Sequence, residues 1–195
     1  MARSYRLRRR AERQDETRQK IVDAAMELHQ TKGLVATTIS DIADRANVGR
    51  VTVYRHFPDE ESLVGACSGQ YFGHHPLPDP ATWSSIQDPV ARLRRGLHDT
   101  YAYHRETEPM MSRVIADARD LPIMVPYHAH WRRAADVIVA AWPVKGRRKV
   151  LLRAAVGLAL SFDTWRTLIR DQGLTDDQAI ELMVRLTADG EQASR

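Results

Sequence analysis

Seven consecutive residues, Arg50-Val-Thr-Val-Tyr-Arg-His56, carry side chains suited to reading or gripping a nucleic acid. Arginine can donate two bonds to a guanine edge, and valine or threonine methyls pack on a thymine methyl. Tyrosine and histidine can bond phosphate oxygens, which fixes position without reading sequence. Val53 and Phe57 are four apart and face inward with Ile42 and Val48. That leaves Arg50, Val51, Thr52, Tyr54, Arg55 and His56 on the outer face. The same outer set would also serve as the rim of an ordinary helical bundle.

Catalytic chemistry finds little support. There is no glycine-rich phosphate loop, G-x-S-x-G elbow or H-E-x-x-H. His74 and His75 are adjacent on a loop, and His128 and His130 are two apart, so neither pair shares a helical face. The single cysteine, Cys67, excludes a disulfide framework and a multi-cysteine zinc site. The reading is therefore not an enzyme, with no cofactor and no metal.

The elements that position the 50–56 run are legible around it. Ile21, Ala24, Ala25 and Leu28 give one apolar helical face over 17–32, and Gly33 suits its C-terminal stop. Thr38-Ile-Ser-Asp41 has the spacing of a capping box, opening a helix whose inward residues are Ile39, Ile42, Ala43 and Ala46. Asn47-Val-Gly49 then makes a turn, since Asn and Gly tolerate left-handed backbone angles. A third helix runs from Arg50 until Pro58, and Asp59 caps a fourth that carries Leu63, Val64 and Cys67. Helix, short turn, short helix over 38–57 is the arrangement in which the second helix lies in a major groove.

Three prolines within 76–80 make a loop. Beyond it the patterns predict helices over 89–105, 108–119 (with Pro109 in the first turn), 122–142, 147–170 and 175–186. No stretch alternates as a strand. The fold class is all-α, with a helix-turn-helix domain over 1–58 and a helical domain over 59–195.

Composition agrees with this division. The 195 residues are 43% hydrophobic and 28% charged, a globular balance with no stretch near the roughly 20 apolar residues of a membrane span. The basic N-terminus lacks the apolar core of a signal peptide, so the chain reads as soluble and cytoplasmic. Formal net charge is +4, but residues 1–56 hold 12 of the 29 Lys and Arg against 7 of the 25 Asp and Glu. A cationic end on a near-neutral body suits a polyanion partner; it would also suit a solubility tail.

Thr37-Thr-Ile-Ser-Asp-Ile-Ala43 and Ala46-Asn-Val-Gly-Arg-Val-Thr-Val-Tyr-Arg-His-Phe-Pro-Asp59 resemble the TetR family of transcriptional regulators. Gly33 and Leu63 fit as well. The resemblance covers roughly the first third of the chain. It implies that Thr38, Tyr54 and His56 contact phosphates. It places Arg50, Val51, Thr52 and Arg55 at bases or adjacent phosphates, and Thr17 and Arg18 at the DNA backbone. The arm with Arg3, Arg6, Arg8, Arg9, Arg10 and Arg13 would lie in a minor groove or along phosphates. Asn47 replaces the family's usual turn glycine, Gly49 a capping serine and Val51 a glycine. Glu60 stands where a lysine usually meets phosphate, and a carboxylate cannot make that contact.

The resemblance further implies that the C-terminal helices bind a small-molecule effector and form a homodimer. Tyr101, His104, Met110, Trp131, Phe162 and Trp165 are the candidate ligand contacts, since aromatic and methionine side chains suit an adaptable apolar pocket. At helical spacing they would equally be plain core. Leu151, Ala155, Leu158, Phe162, Trp165 and Ile169 recur at spacings of four and three. With Ile180, Met183 and Leu186 this seam could build a four-helix interface, although part of it must pack within one chain. The function so read is a ligand-responsive repressor, a homodimer on a palindromic double-stranded DNA operator. The alternatives are an all-helical small-molecule-binding protein or enzyme with a vestigial helix-turn-helix, and a membrane-surface protein anchored by its arm.

Overall fold

The computed structural model describes residues 2–119 and 121–192, with side chains over 5–119 and 121–187; among these there is no strand. The Arg3 side chain of the expected arm lies outside the described residues. The chain divides into two compact units. One comprises Met1–Pro76 with Glu108–Ile123, the other Leu77–Thr107 with Met124–Arg195.

The first unit begins with α1 (Ala2–Thr31), and here the sequence reading needs correction. The helix does not start at Thr17 after a separate arm; the arginine-rich segment is its first half. Arginine is a good helix former, and no glycine or proline interrupts residues 2–31. Arg8 donates to Glu12 at 3.0 Å one turn on, and the Arg9 guanidinium lies over the Tyr5 ring at 5.8 Å. Thr17 is interior, its hydroxyl donating to the Arg13 carbonyl at 2.8 Å. Gly33 ends the helix with φ +95°, a backbone angle that suits glycine.

Two short helices follow, α2 (Ile39–Arg45) and α3 (Arg50–His56), then α4 (Glu60–His74). The capping box at Thr38 and Asp41 is present in both directions. Asn47 takes φ 54° in the turn. Ile21, Val22, Ala25, Ile42, Val53 and Phe57 are central to one buried core that also takes Leu63 and Cys67 from α4.

Helix α5 (Pro89–Ala118) is a second correction, because the two helices expected over 89–105 and 108–119 are one, with Pro109 in its interior. An interior proline costs roughly 3 kcal/mol. Pro109 itself is exposed, while Tyr103, His104, Thr107, Met110, Met111 and Ile115 are buried along one side. Burying each large apolar side chain contributes about 1.5–3 kcal/mol, so the stripe outweighs the proline.

The second unit adds α6 (Val125–Val139), α7 (Gly146–Ala159), α8 (Phe162–Arg166) and α9 (Asp176–Gln192). Gly96 lets α5 approach α6 closely: a Cβ there would lie 2.7 Å from Ile138 Cδ1. The long helix expected over 147–170 is broken at Leu160 and Ser161. The Ser161 hydroxyl accepts from the Thr164 N–H at 3.1 Å and starts α8. The break exposes two helix-end carbonyls, which must find donors elsewhere. Tyr101 donates its hydroxyl to the Ala159 carbonyl at 3.1 Å, and the His104 Nε2 bonds the Leu160 carbonyl at 3.0 Å.

The break also divides the expected seam. Leu151 and Leu158 are 60% and 63% exposed on α7, whereas Phe162 and Trp165 are buried within the unit. Ile180 and Met183 are buried on α9, and Leu186 is exposed.

Candidate functional site

Helix α3 buries Val53, and Phe57 follows it into the core; both side chains are essentially inaccessible. Fixing these two anchors fixes the opposite face. Val51 is 82% exposed, Tyr54 52%, and Arg50 and Arg55 are exposed as well; Thr52 and His56 are half-buried. Gly49 precedes the helix with no side-chain cap. The Gly49 carbonyl instead accepts from the Thr52 N–H at 2.8 Å and the Val53 N–H at 3.2 Å, so the first turn closes on backbone alone.

The supporting residues behave less uniformly. The Arg18 guanidinium sits 4.8 Å over the Phe57 ring, so the core of the unit orients it. Thr38 has both donors engaged by Asp41: its N–H at 2.8 Å and its hydroxyl at 2.7 Å. Lys32 adds an ion pair to the same carboxylate at 2.7 Å. The Lys32 ammonium and the two Thr38 donors hold Asp41 down at about 2. Thr38 is thus committed to ordering α2, and its hydroxyl keeps little donor capacity for a phosphate. Glu60 sits exposed in the first turn of α4, behind the Asp59 cap that accepts from the Ser62 N–H at 2.7 Å.

His56 faces a cleft of about 610 Å³ between the amino-terminal turns of α1 and the end of α3. Apolar periodicity along the sequence carries no trace of this cleft. Its signal was arginine at positions 6, 9, 10 and 13, a 3-1-3 spacing that falls on one helical face. Burial and the charges of Arg55 and Arg18 push the His56 pKa below the ordinary histidine value. Its Nε2 is buried without a partner.

In the second unit, four of the other five candidate ligand contacts gather around His104. Its ring centre lies 5.2 Å from Trp131, 5.5 Å from Phe162, 5.8 Å from Trp165 and 6.5 Å from Tyr101. Met110 belongs to the first unit. Most polar atoms of the cluster are already used. Trp165 Nε1 donates to Asp176 at 3.1 Å, and Asp176 also pairs with Arg105. Because a carbonyl only accepts, His104 carries its proton on Nε2. His104 Nδ1 and Trp131 Nε1 are left buried without partners, an acceptor and a donor within one aromatic cluster. Burial lowers the His104 pKa to about 4.

Arg92, which the sequence reading passed over, is buried and spends its guanidinium on the carbonyls of Ser84, Ile86 and Val137. It ties the loop before α5 to α6. No described helix is long and apolar enough to cross a membrane.

Comparison with known proteins agrees with the geometry of the first unit. Residues 21–67 match the model of a family described as bacterial regulatory proteins, tetR family. The HTH-type transcriptional regulator YvkB of Bacillus subtilis is 44% identical over 55 residues, covering 28% of this chain and 29% of that one. The HTH-type transcriptional regulator TtgR of Pseudomonas putida is 40% identical over 90 residues, covering 46% of this chain and 43% of that one. The chain thus spans less than half the length of these two relatives. A putative fatty acid metabolism regulator from Clostridium perfringens shares the fold with a TM-score of 0.61 at 18% identity, over 88% of this chain and 97% of that one.

Proposed function

The chain belongs to the TetR family of transcriptional regulators, and on that premise we propose that it is a ligand-responsive repressor acting as a homodimer on a palindromic operator. The observation that carries the reading is the outer face of α3. Arg50, Val51, Tyr54 and Arg55 stand exposed together on a helix whose only buried residue is Val53. Arg50, Val51 and Thr52 lie nearest the start of the helix, where base edges are reached. Tyr54, Arg55 and His56 follow toward its end and take phosphates. Thr17, Arg18 and Thr38 serve as supports around that face, Arg18 through its seat on Phe57.

One recognition helix reads too few base pairs for a useful specificity ratio, so two are needed about 34–36 Å apart. The exposed Leu151 and Leu158 of α7 and Leu186 of α9 support a two-fold contact there. Leu158→Glu should give a folded monomer, because the residue is exposed in one chain and buried only in the pair; sedimentation measures this. The effector would enter the aromatic cluster, with His104 Nδ1 accepting from it and Trp131 Nε1 donating to it. It represses or releases by binding one of two states better. Selecting bound duplexes from a random library tests the reading. A palindromic consensus supports it, and enrichment of no sequence overturns it.

A further inference from the structure

We infer that the cleft between the amino-terminal half of α1 and the end of α3 seats the phosphodiester backbone of the same duplex that α3 reads. This rests on the DNA-binding reading above. One wall is the helical stripe of Arg6, Arg9, Arg10 and Arg13; the other is Arg55 with His56. Five arginines around one opening repel one another unless an anion lies among them. The described carboxylates do not supply it. Glu12 pairs with Arg8, which does not line the cleft, and Glu27 pairs with Arg45. Among the described residues Arg6, Arg10, Arg13 and Arg55 have no ion-pair partner. Asp15 is the one acid whose charge is felt at His56, where two arginines oppose it.

The occupant follows from the walls and from helix width. Arg55 and His56 belong to the recognition helix, so whatever fills the cleft is continuous with what α3 touches. A helix with its side chains is about 10–12 Å across, whereas a minor groove is about 6 Å wide. A helical arginine segment therefore cannot enter that groove, and α3 already occupies the major one. The remaining anionic surface is the sugar–phosphate strand between them. The arm is thus a rigid backbone clamp rather than an extended finger.

Three proteins separate the possibilities on a duplex selected with the wild-type chain. These are wild type, the triple variant Arg6→Gln, Arg10→Gln, Arg13→Gln, and Ala11→Pro. The proline variant keeps every arginine but breaks the exposed amino-terminal half of α1 between Arg10 and Arg13. Each lost phosphate contact lowers the log–log salt slope by about 0.9, so the triple variant should lose up to about 2.7. Between 50 and 200 mM salt its affinity would then fall about 40-fold less than that of wild type. Ala11→Pro should lose a similar part of the slope. Circular dichroism and thermal melting confirm that both variants retain the helical core. Equal slopes for wild type and triple variant would overturn the clamp while leaving the recognition helix standing. An Ala11→Pro variant that behaves as wild type would show an extended arm and overturn it too. If inorganic pyrophosphate binds the wild type but not the triple variant while the slopes agree, the cleft is a small-anion site and the proposal fails. Selection of no duplex by the wild-type protein would remove the DNA-binding reading itself, and the clamp with it.

Discussion

The outer face of α3 and the aromatic cluster around His104 hold the two sets of candidate binding residues, and they are built on opposite plans. On α3 the candidates are exposed apart from the half-buried Thr52 and His56, spend few polar atoms on the fold, and are positioned by anchors on the other side of the helix. Around His104 the candidates, apart from the half-buried Trp131, are the core. Tyr101 and Trp165 are fully buried, and with His104 they use their polar atoms to hold the break between α7 and α8 and the start of α9. Substitution on α3 should therefore change binding and spare stability. Substitution in the cluster should change stability whatever it does to binding.

The largest expected effect is at Trp165. Replacing it with alanine leaves a cavity and an unpaired Asp176 oxygen, at a cost of about 3–5 kcal/mol in urea unfolding. A cost near zero would mean the cluster is loose enough to be a pocket already. Next is the pH response of His104. Its ring is neutral in the folded chain down to about 4, while the unfolded chain takes up a proton near 6.5. The unfolded state binds more protons between those values, so stability is full above pH 6.5 and falls by about 3 kcal/mol on descending to pH 4. His29 and His130, also lowered by burial, add slopes of the same sign. His104→Gln should remove its own share and leave theirs, as unfolding curves across that range would measure.

Arg50→Ala belongs to the other plan. It should cost about 1–3 kcal/mol of DNA binding if bidentate to guanine. Its thermal stability should stay within about 0.5 kcal/mol of wild type. Thr38→Ala is smaller and crosses the divide. Loss of the cap should cost about 1 kcal/mol of stability, and because Thr38 spends its donors on Asp41, little phosphate contact should go with it. A large binding loss with unchanged melting would show instead that Thr38 turns outward on DNA.

The contrast also explains what was legible in the sequence. The first unit is written in local signals. Thr38 and Asp41 are three apart, Gly33 and Asn47 mark sign changes of φ, and Pro58 and Asp59 end one helix and start the next. Short elements bounded by turns leave little freedom, so the outer face of α3 followed from Val53 and Phe57. Where the local and tertiary signals disagree, reading along the chain fails. Pro109 looks like a helix start, yet burial on both sides carries α5 through it. Ser161 sits inside an apolar run that looks continuous, yet donors from Tyr101 and His104 make a break favourable there. The arginine segment has no apolar stripe, so its helix shows only in propensity and in the Arg8–Glu12 spacing.

The most direct measurement is the affinity of wild type, Arg50→Ala and Tyr54→Ala for the selected duplex and for its single-base-pair variants. The account predicts that Tyr54→Ala weakens every duplex by the same factor, because phosphate contacts carry no sequence information. It predicts that Arg50→Ala loses discrimination at one position and keeps it elsewhere. If all three folded proteins show the same affinities across the set, the outer face of α3 is not a DNA-reading surface.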